Sequence, residues 1–162
     1  MLRDPVVVNS RDSPRSKQMP PETNLIYSHR IEVRFRDCDS FGHVNNAVYF
    51  TFFEQARVMM GGRLGLNQLL GQVSLILVHA SCDYKAQVVF GDELEVSVGV
   101  ASLGRSSFTY ELVARRVGDG TIVATGKSVH AVFDYPTGRT LPMPAPFRAE
   151  LARLMAGEPA AP

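Results

Sequence analysis

The chain has 162 residues, 45% apolar and 20% charged, enough for one compact domain with a substantial core and too few for a two-domain enzyme. Seventeen lysines and arginines against sixteen aspartates and glutamates leave a formal charge of +1, so no overall field recruits nucleic acid or an anionic membrane, and an anionic ligand must meet local positive groups. Cys38 and Cys82 fit neither CxxC zinc spacing nor a disulfide-framed secreted scaffold, and no run is long enough to span a bilayer or shaped like a signal peptide; a soluble, cytoplasmic protein with reduced thiols is expected.

Residues 1–24 hold four prolines, several serines and scattered charges around a lone Val6-Val7-Val8 cluster, and read as a flexible tail in which Met19 is an alternative start. From Ser28 to Arg36, Ile31, Val33 and Phe35 alternate with Arg30, Glu32, Arg34 and Arg36, the period-two pattern of a strand with one solvated face. Residues 47–60 are apolar at ten of fourteen positions and predict a buried helix that Gly61-Gly62 ends. Thr51, Glu54 and Gln55 make only a narrow polar stripe on it, so other elements must cover most of its circumference. A helical turn at Leu64 to Leu70 is followed by four strands: Val73 to Val89, the alternating Leu94 to Val100, the alternating Phe108 to Ala114, and Thr121 to Phe133. Gly91-Asp92 and Gly118-Asp119-Gly120 supply turns between them. Pro142, Pro144 and Pro146 break the sheet before a last helix, Phe147 to Met155. Strand, long helix, then four consecutive strands give an α+β layer architecture. The domain spans 25–157, with 158–162 fraying beyond it. Long sheet edges and a partly apolar face favour pairing with a second subunit.

Polar groups crowd between the first strand and the long helix, in Asp37-Cys38-Asp39-Ser40-Phe41-Gly42-His43-Val44-Asn45-Asn46. Gly42 permits a tight turn, and Asn45 or Asn46 suits the helix N-cap. The unpaired amides and positive end of the helix then lie beside Asp39. A carboxylate near amide donors meets the needs of acyl transfer, with one group to attack or activate water and donors for the carbonyl oxygen as it gains charge. The same residue types also build an ordinary turn and cap.

The stretch Arg34-Phe35-Arg36-Asp37-Cys38-Asp39, Gly42-His43-Val44-Asn45-Asn46, Tyr49 and Glu54-Gln55-Ala56-Arg57 resembles the hotdog-fold thioesterases of the 4-hydroxybenzoyl-CoA thioesterase type. Tyr84-Lys85 leading to Gly91-Asp92, Leu103-Gly104-Arg105-Ser106-Ser107-Phe108 and Arg139-Thr140-Leu141-Pro142-Met143-Pro144 extend the likeness over residues 28–157. It implies a five-stranded antiparallel sheet wrapped around a long central helix, in the order β-α-β-β-β-β. It also implies hydrolysis of an acyl-CoA thioester to free acid and CoA, with sites between subunits of a homodimer or homotetramer. In that family the second aspartate of the DxD is the catalytic carboxylate, here Asp39, and the amide at the start of the helix, here near Asn46, polarises the thioester carbonyl. His43-Val44-Asn45-Asn46 stands where the benzoyl-type subgroup carries apolar and aromatic residues, so the resemblance implies fold and carboxylate rather than an aromatic acyl group.

A thiolate leaves far more readily than an amine, so one carboxylate suffices, either as nucleophile forming a mixed anhydride or as base activating water. His43 orients water or the carbonyl, or caps the turn. Asn45 and Tyr49 are candidate substrate contacts. Glu54 with Arg57 at i+3 reads as a helix-surface pair, with a second catalytic carboxylate as the alternative. Asp37 reads as structural. Coenzyme A carries phosphates, for which Arg105 with Ser106 and Ser107 is the first candidate and Arg139 and Lys85 follow. No metal or separate cofactor is expected, since His29, His79 and His130 lack ligand spacing and GxSxG, GxGxxG, P-loop and HExxH motifs are absent. The rivals are a hotdog enoyl-CoA hydratase, whose Asp and His stand five apart rather than four, and a non-catalytic acyl-CoA-binding module on the same fold.

Overall fold

The computed structural model describes residues 24–158. In chain order it has β1 (Leu25–Glu32), a 3-10 turn (Phe35–Asp37), α1 (Val48–Arg63), α2 (Leu66–Leu69), β2 (Ser74–Tyr84), β3 (Glu93–Leu103), β4 (Ser107–Arg116), β5 (Ile122–Asp134), β6 (Arg139–Thr140) and α3 (Ala145–Met155). The main strands pair in the order β1-β3-β4-β5-β2, all antiparallel, and the sheet curls around α1. This is the hotdog arrangement, with the short β6 added on β5. The expected tails, Met19 and Val6-Val7-Val8 included, lie outside the described residues apart from Asn24 and Glu158. Among the described residues no helix is long and apolar enough to cross a membrane.

Strand alternation builds the core. Leu94, Val96, Val98 and Val100 of β3 and Phe108, Tyr110, Leu112 and Ala114 of β4 are buried with Tyr49, Phe52, Phe53, Ala56 and Met60 of α1 in one cluster. Phe147, Leu151 and Leu154 of α3 join it, and Phe147 meets Phe108 edge-on with ring centroids 5.6 Å apart. Two polar side chains buried at the alternate positions are paired: Ser97 Oγ lies 2.8 Å from Ser28 Oγ, and Lys127 of β5 pairs with Glu111 at 3.2 Å.

Three boundaries differ from the sequence expectation for local reasons. The first strand stops at Glu32, because the Asp37 carboxylate accepts the Arg34 amide and curls the next residues into the 3-10 turn, leaving Phe35 79% exposed. The long helix runs through Gly61-Gly62 to Arg63, and the stop is Gly65, whose φ of +65° is open to glycine at little cost. The helix is also only half covered within one chain, since Phe50, Val58 and Met59 are exposed. The last helix starts at Ala145, taking Pro146 into its first turn, where a missing amide costs nothing.

Candidate active site

Two loops at one end of the sheet build the site. The first, residues 37–47, is anchored by Asp37, which is buried and accepts hydrogen bonds from Arg34 N at 2.9 Å, Arg34 Nε at 3.1 Å and Arg34 Nη2 at 3.2 Å. Burial pushes the Asp37 carboxyl up, but the Arg34 hydrogen bonds and the nearby Arg36 outweigh it, so the group sits below the ordinary carboxylate range. The Asp37 carbonyl in turn accepts the Asn45 amide at 2.9 Å, closing the loop at its base. Asp37 is therefore a structural residue.

Asp39 sits at the tip of this loop. Its amide donates to the His43 carbonyl at 2.8 Å and its carbonyl accepts from Gly42 N at 3.0 Å, a reversal that the φ of +80° at Gly42 makes possible. Asp39 Oδ1 accepts the Phe41 amide at 2.9 Å, and no ion pair among the described residues holds the other oxygen. The carboxylate is thus oriented without being neutralised. Neither asparagine is the helix N-cap, which is Ala47 with no side-chain cap bond; Asn45 instead builds the turn leading into the helix, its Oδ1 accepting the Ala47 amide at 2.9 Å and its carbonyl the Val48 amide at 3.0 Å. The Asn46 amide has no partner among the described residues.

The second loop, residues 85–92, is laced to the first. Val44 N donates to Val88 O at 2.8 Å, and His43 bridges to Val89. Asp92 Oδ2 accepts from Val89 N and from Arg116 Nε, each at 3.1 Å, while Arg116 also donates to the Gln87 carbonyl and to Asp119. Arg116 therefore fastens this loop to the end of β4 and holds it against Asp39's own loop.

Between the loops and the start of α1 lies a cavity of about 400 Å³, lined by Asp39, His43, Asn46, Tyr49, Tyr84 and Lys85, with Gln87 and Val88 as its floor. The fold thus brings together Asp39, His43, Asn46 and Tyr49 from the sequence reading. Lys85, a second-choice phosphate contact, is also here, 4.0 Å from Asp83. Burial, with Cys82 and Tyr84 close by, pushes the Tyr49 phenol up to about 12, so it stays a neutral donor. Asn45 serves the turn before the helix rather than the cavity wall. Arg105, Ser106 and Ser107 form the β3–β4 turn, at the opposite end of β3 from the cavity, where the Arg105 carbonyl accepts Met143 N. Arg139 is on β6, and neither it nor that turn lines the cavity of the same chain. The Glu54–Arg57 surface pair does not form, because Arg57 turns inward to Phe53 O and His130. Burial raises the Cys82 thiol, which disfavours its thiolate, and both cysteines are free. No group of three His, Cys, Asp or Glu among the described residues is placed to hold a metal ion.

Sequence reading missed Tyr84 as a site residue. Its hydroxyl donates to the Asn46 carbonyl at 2.9 Å and its ring meets Tyr49 edge-on at 5.1 Å, so it steadies the peptide at the helix start. Tyr84→Phe removes one hydrogen bond of about 1 kcal/mol and should cut turnover about fivefold while lowering the melting temperature by only about 2 to 4 °C. Steady-state kinetics beside a thermal melt would show this, and an unaltered turnover number would mean that the Asn46 peptide needs no such support.

A family model described as the Thioesterase-like superfamily matches residues 33–151, a span that contains both loops and all of α1. The chain belongs to the Thioesterase-like superfamily. Membership places it among thioester hydrolases. Similar members include a 1,4-dihydroxy-2-naphthoyl-CoA hydrolase of Synechococcus elongatus, 28% identical over 73% of this chain and 89% of that one. A thioesterase of Thermus thermophilus, solved in complex with coenzyme A and zinc, is 34% identical with a TM-score of 0.71, covering 84% of this chain and 98% of that one. A Pseudomonas aeruginosa protein of known crystal structure is likewise 34% identical with a TM-score of 0.71, over 86% of this chain and 98% of its own.

Proposed function

We propose that this superfamily member hydrolyses an acyl-CoA thioester to the free acid and CoA, using Asp39 as nucleophile or general base and the Asn46 amide to hold the carbonyl oxygen. One observation carries the reading: an ion-pair-free carboxylate and an unpartnered amide at the start of α1 line the same cavity. With Oδ1 tied to the Phe41 amide, the other Asp39 oxygen either attacks the carbonyl carbon or takes a proton from the attacking water. Electron density moving onto the carbonyl oxygen is met by the Asn46 N–H and the positive end of the helix. As the tetrahedral species collapses, the carbon–sulfur bond breaks and CoA leaves as its thiolate, which needs no strong acid. On the nucleophilic route the acyl group is then held as an Asp39 anhydride, which a water hydrolyses to release the acid and restore the carboxylate. His43 and the neutral Tyr49 border the same space and orient water or the substrate. The acyl-CoA relatives support the substrate class, and the free cysteines suit a reducing, cytoplasmic compartment.

The working form in this proposal is a homodimer or homotetramer with sites between subunits. Among the described residues β2 pairs only with β5, and its other edge carries Leu77 and Val78, 47% and 56% exposed, next to the uncovered Phe50 of α1. A second chain covers these groups, and its Arg105–Ser107 turn and Arg139 then become the phosphate contacts that one chain does not supply to its own cavity. The test is to mix the purified protein with a panel of acyl-CoAs and follow free thiol, sizing the same preparation by light scattering. Thiol release from a species of two or four chains is the expected result. Loss of enoyl absorbance without thiol would mark a hydratase, and saturable binding alone a non-catalytic module.

A further inference from the structure

A second cavity, of about 150 Å³, lies farther along the same seam between α1 and β2, with apolar walls from Phe50, Phe53 and Leu77 and polar groups from Glu54, Arg57 and Ser128. Along β2, Tyr84 borders the first cavity and Leu77 the second; along α1, Asn46 and Tyr49 border the first and Phe53 and Arg57 the second. From the start of α1 to Arg57 the helix rises about 14 Å.

The far end of this path is chemically unusual. Arg57 is drawn inward, Nε donating to Phe53 O at 3.3 Å and Nη1 reaching His130 Nε2 at 2.5 Å, with Ser128 Oγ 3.2 Å from the same ring nitrogen. Burial, then the neighbouring Arg57, holds His130 down at about 4, so at neutral pH its uncharged ring accepts a hydrogen bond from the arginine instead of repelling the cation. Among the described residues no carboxylate lies within ion-pair distance of Arg57. Glu54 acts on it only from a distance and is itself exposed, and Lys127 beside the cavity is already tied to Glu111. A guanidinium has five N–H donors and the chain uses two, which leaves donors for whatever enters the cleft that Arg57 lines.

We propose that the second cavity takes the far end of the acyl group, and that Arg57, backed by His130 and Ser128, selects acyl-CoAs whose chain ends in a carboxylate. The proposal rests on the thioesterase reading and names its substrate class. A carboxylate matches the guanidinium fork with two parallel hydrogen bonds, whereas a methyl end displaces water from the cation and gives nothing back. The middle of the path, between Phe50, Phe53 and Leu77, suits the methylenes of either.

The test uses pairs of equal chain length, butyryl- and succinyl-CoA, hexanoyl- and adipoyl-CoA, octanoyl- and suberoyl-CoA, with kcat/KM from free-thiol release. The expected result is a preference of about tenfold or more for the carboxylate member of at least one pair, from a hydrogen-bonded charge. Arg57→Met should collapse that ratio, and Arg57→Lys should restore part of it. Should the methionine variant fail to fold, Ser128→Ala, which leaves the arginine in place, should narrow the ratio severalfold. Equal or methyl-favouring rates in every pair would overturn the acyl-end assignment and leave the hydrolase reading standing. Absence of thiol release from all six would remove the hydrolase reading and this one with it.

Discussion

Asp39→Asn should lower the turnover number about a thousandfold, the range lost when a positioned acid-base or nucleophilic group is removed, with little change in KM or melting temperature. The selectivity of that loss follows from the geometry. Asp39 is exposed, and its one side-chain hydrogen bond inside the chain is accepted by Oδ1 from the Phe41 amide, which an asparagine Oδ1 also accepts. The loop therefore keeps its shape while losing the charge. An asparagine neither attacks a thioester as a carboxylate does nor takes a proton from water at neutral pH, so both routes open to Asp39 fail together. The measurement is free-thiol release under saturating acyl-CoA, with circular dichroism and light scattering to show that fold and assembly persist. A variant that turns over at more than a tenth of the parent rate would place the chemistry on another group, and Glu54 on α1 would be the next to remove.

The extent to which this site was legible in the sequence depends on the range of the interactions that make it. The turns at Asp39 and Asn45 are local: Gly42 and Asn45 sit within a few residues of the bonds they form, so composition alone marks the loop. Alternation likewise reads correctly through β3 and β4, where one face is buried and every second residue must be apolar. It overshoots at residues 33–36 because the pattern continues for four more residues while the Arg34–Asp37 bonds curl the backbone away from the sheet. Gly61-Gly62 misleads for a related reason, since a glycine pair weakens a helix without ending it when the next amide, that of Leu64, still finds the Met60 carbonyl.

What the sequence conceals is contact at a distance. Tyr84 reaches a carbonyl 38 residues away, and Arg57 a histidine 73 residues away. A glutamate three residues before an arginine on a helix looks like a surface pair, and only the position of β5 reveals that the arginine has a buried partner instead. The Arg105–Ser107 turn shows the converse. Its composition suits phosphate, but β3 runs away from the Asp39 loop and carries the turn to the other end of the sheet, so it does not line the cavity of its own chain.

The largest effect on stability is expected far from Asp39, at Gly126. A Cβ there would stand 2.4 Å from Phe53 Cε2, 3.0 Å from Phe53 Cδ2 and 2.8 Å from the Ser81 carbonyl oxygen, all closer than real side chains approach. The Ser81 oxygen belongs to the backbone of the neighbouring strand and cannot rotate aside, and Phe53 is 3% exposed, packed in the core that α1 shares with the sheet. At Gly126, therefore, Phe53 of the central helix packs directly on the sheet backbone, in space that any side chain would fill. Gly126→Val should cost about 3 kcal/mol, the upper range for overpacking a full core, and lower the melting temperature by about 10 °C in a chain of this size. At temperatures where the variant is still folded, it should also lose turnover, because a helix lifted off β5 pulls the Asn46 amide away from Asp39, which the Arg34 and Val88 contacts of its loop hold in place. Kinetics and melting of the same variant separate the two effects. A melting temperature within about 2 °C of the parent would correspond to less than about 1 kcal/mol, and would mean that Phe53 swings clear and that the helix is not seated on this glycine.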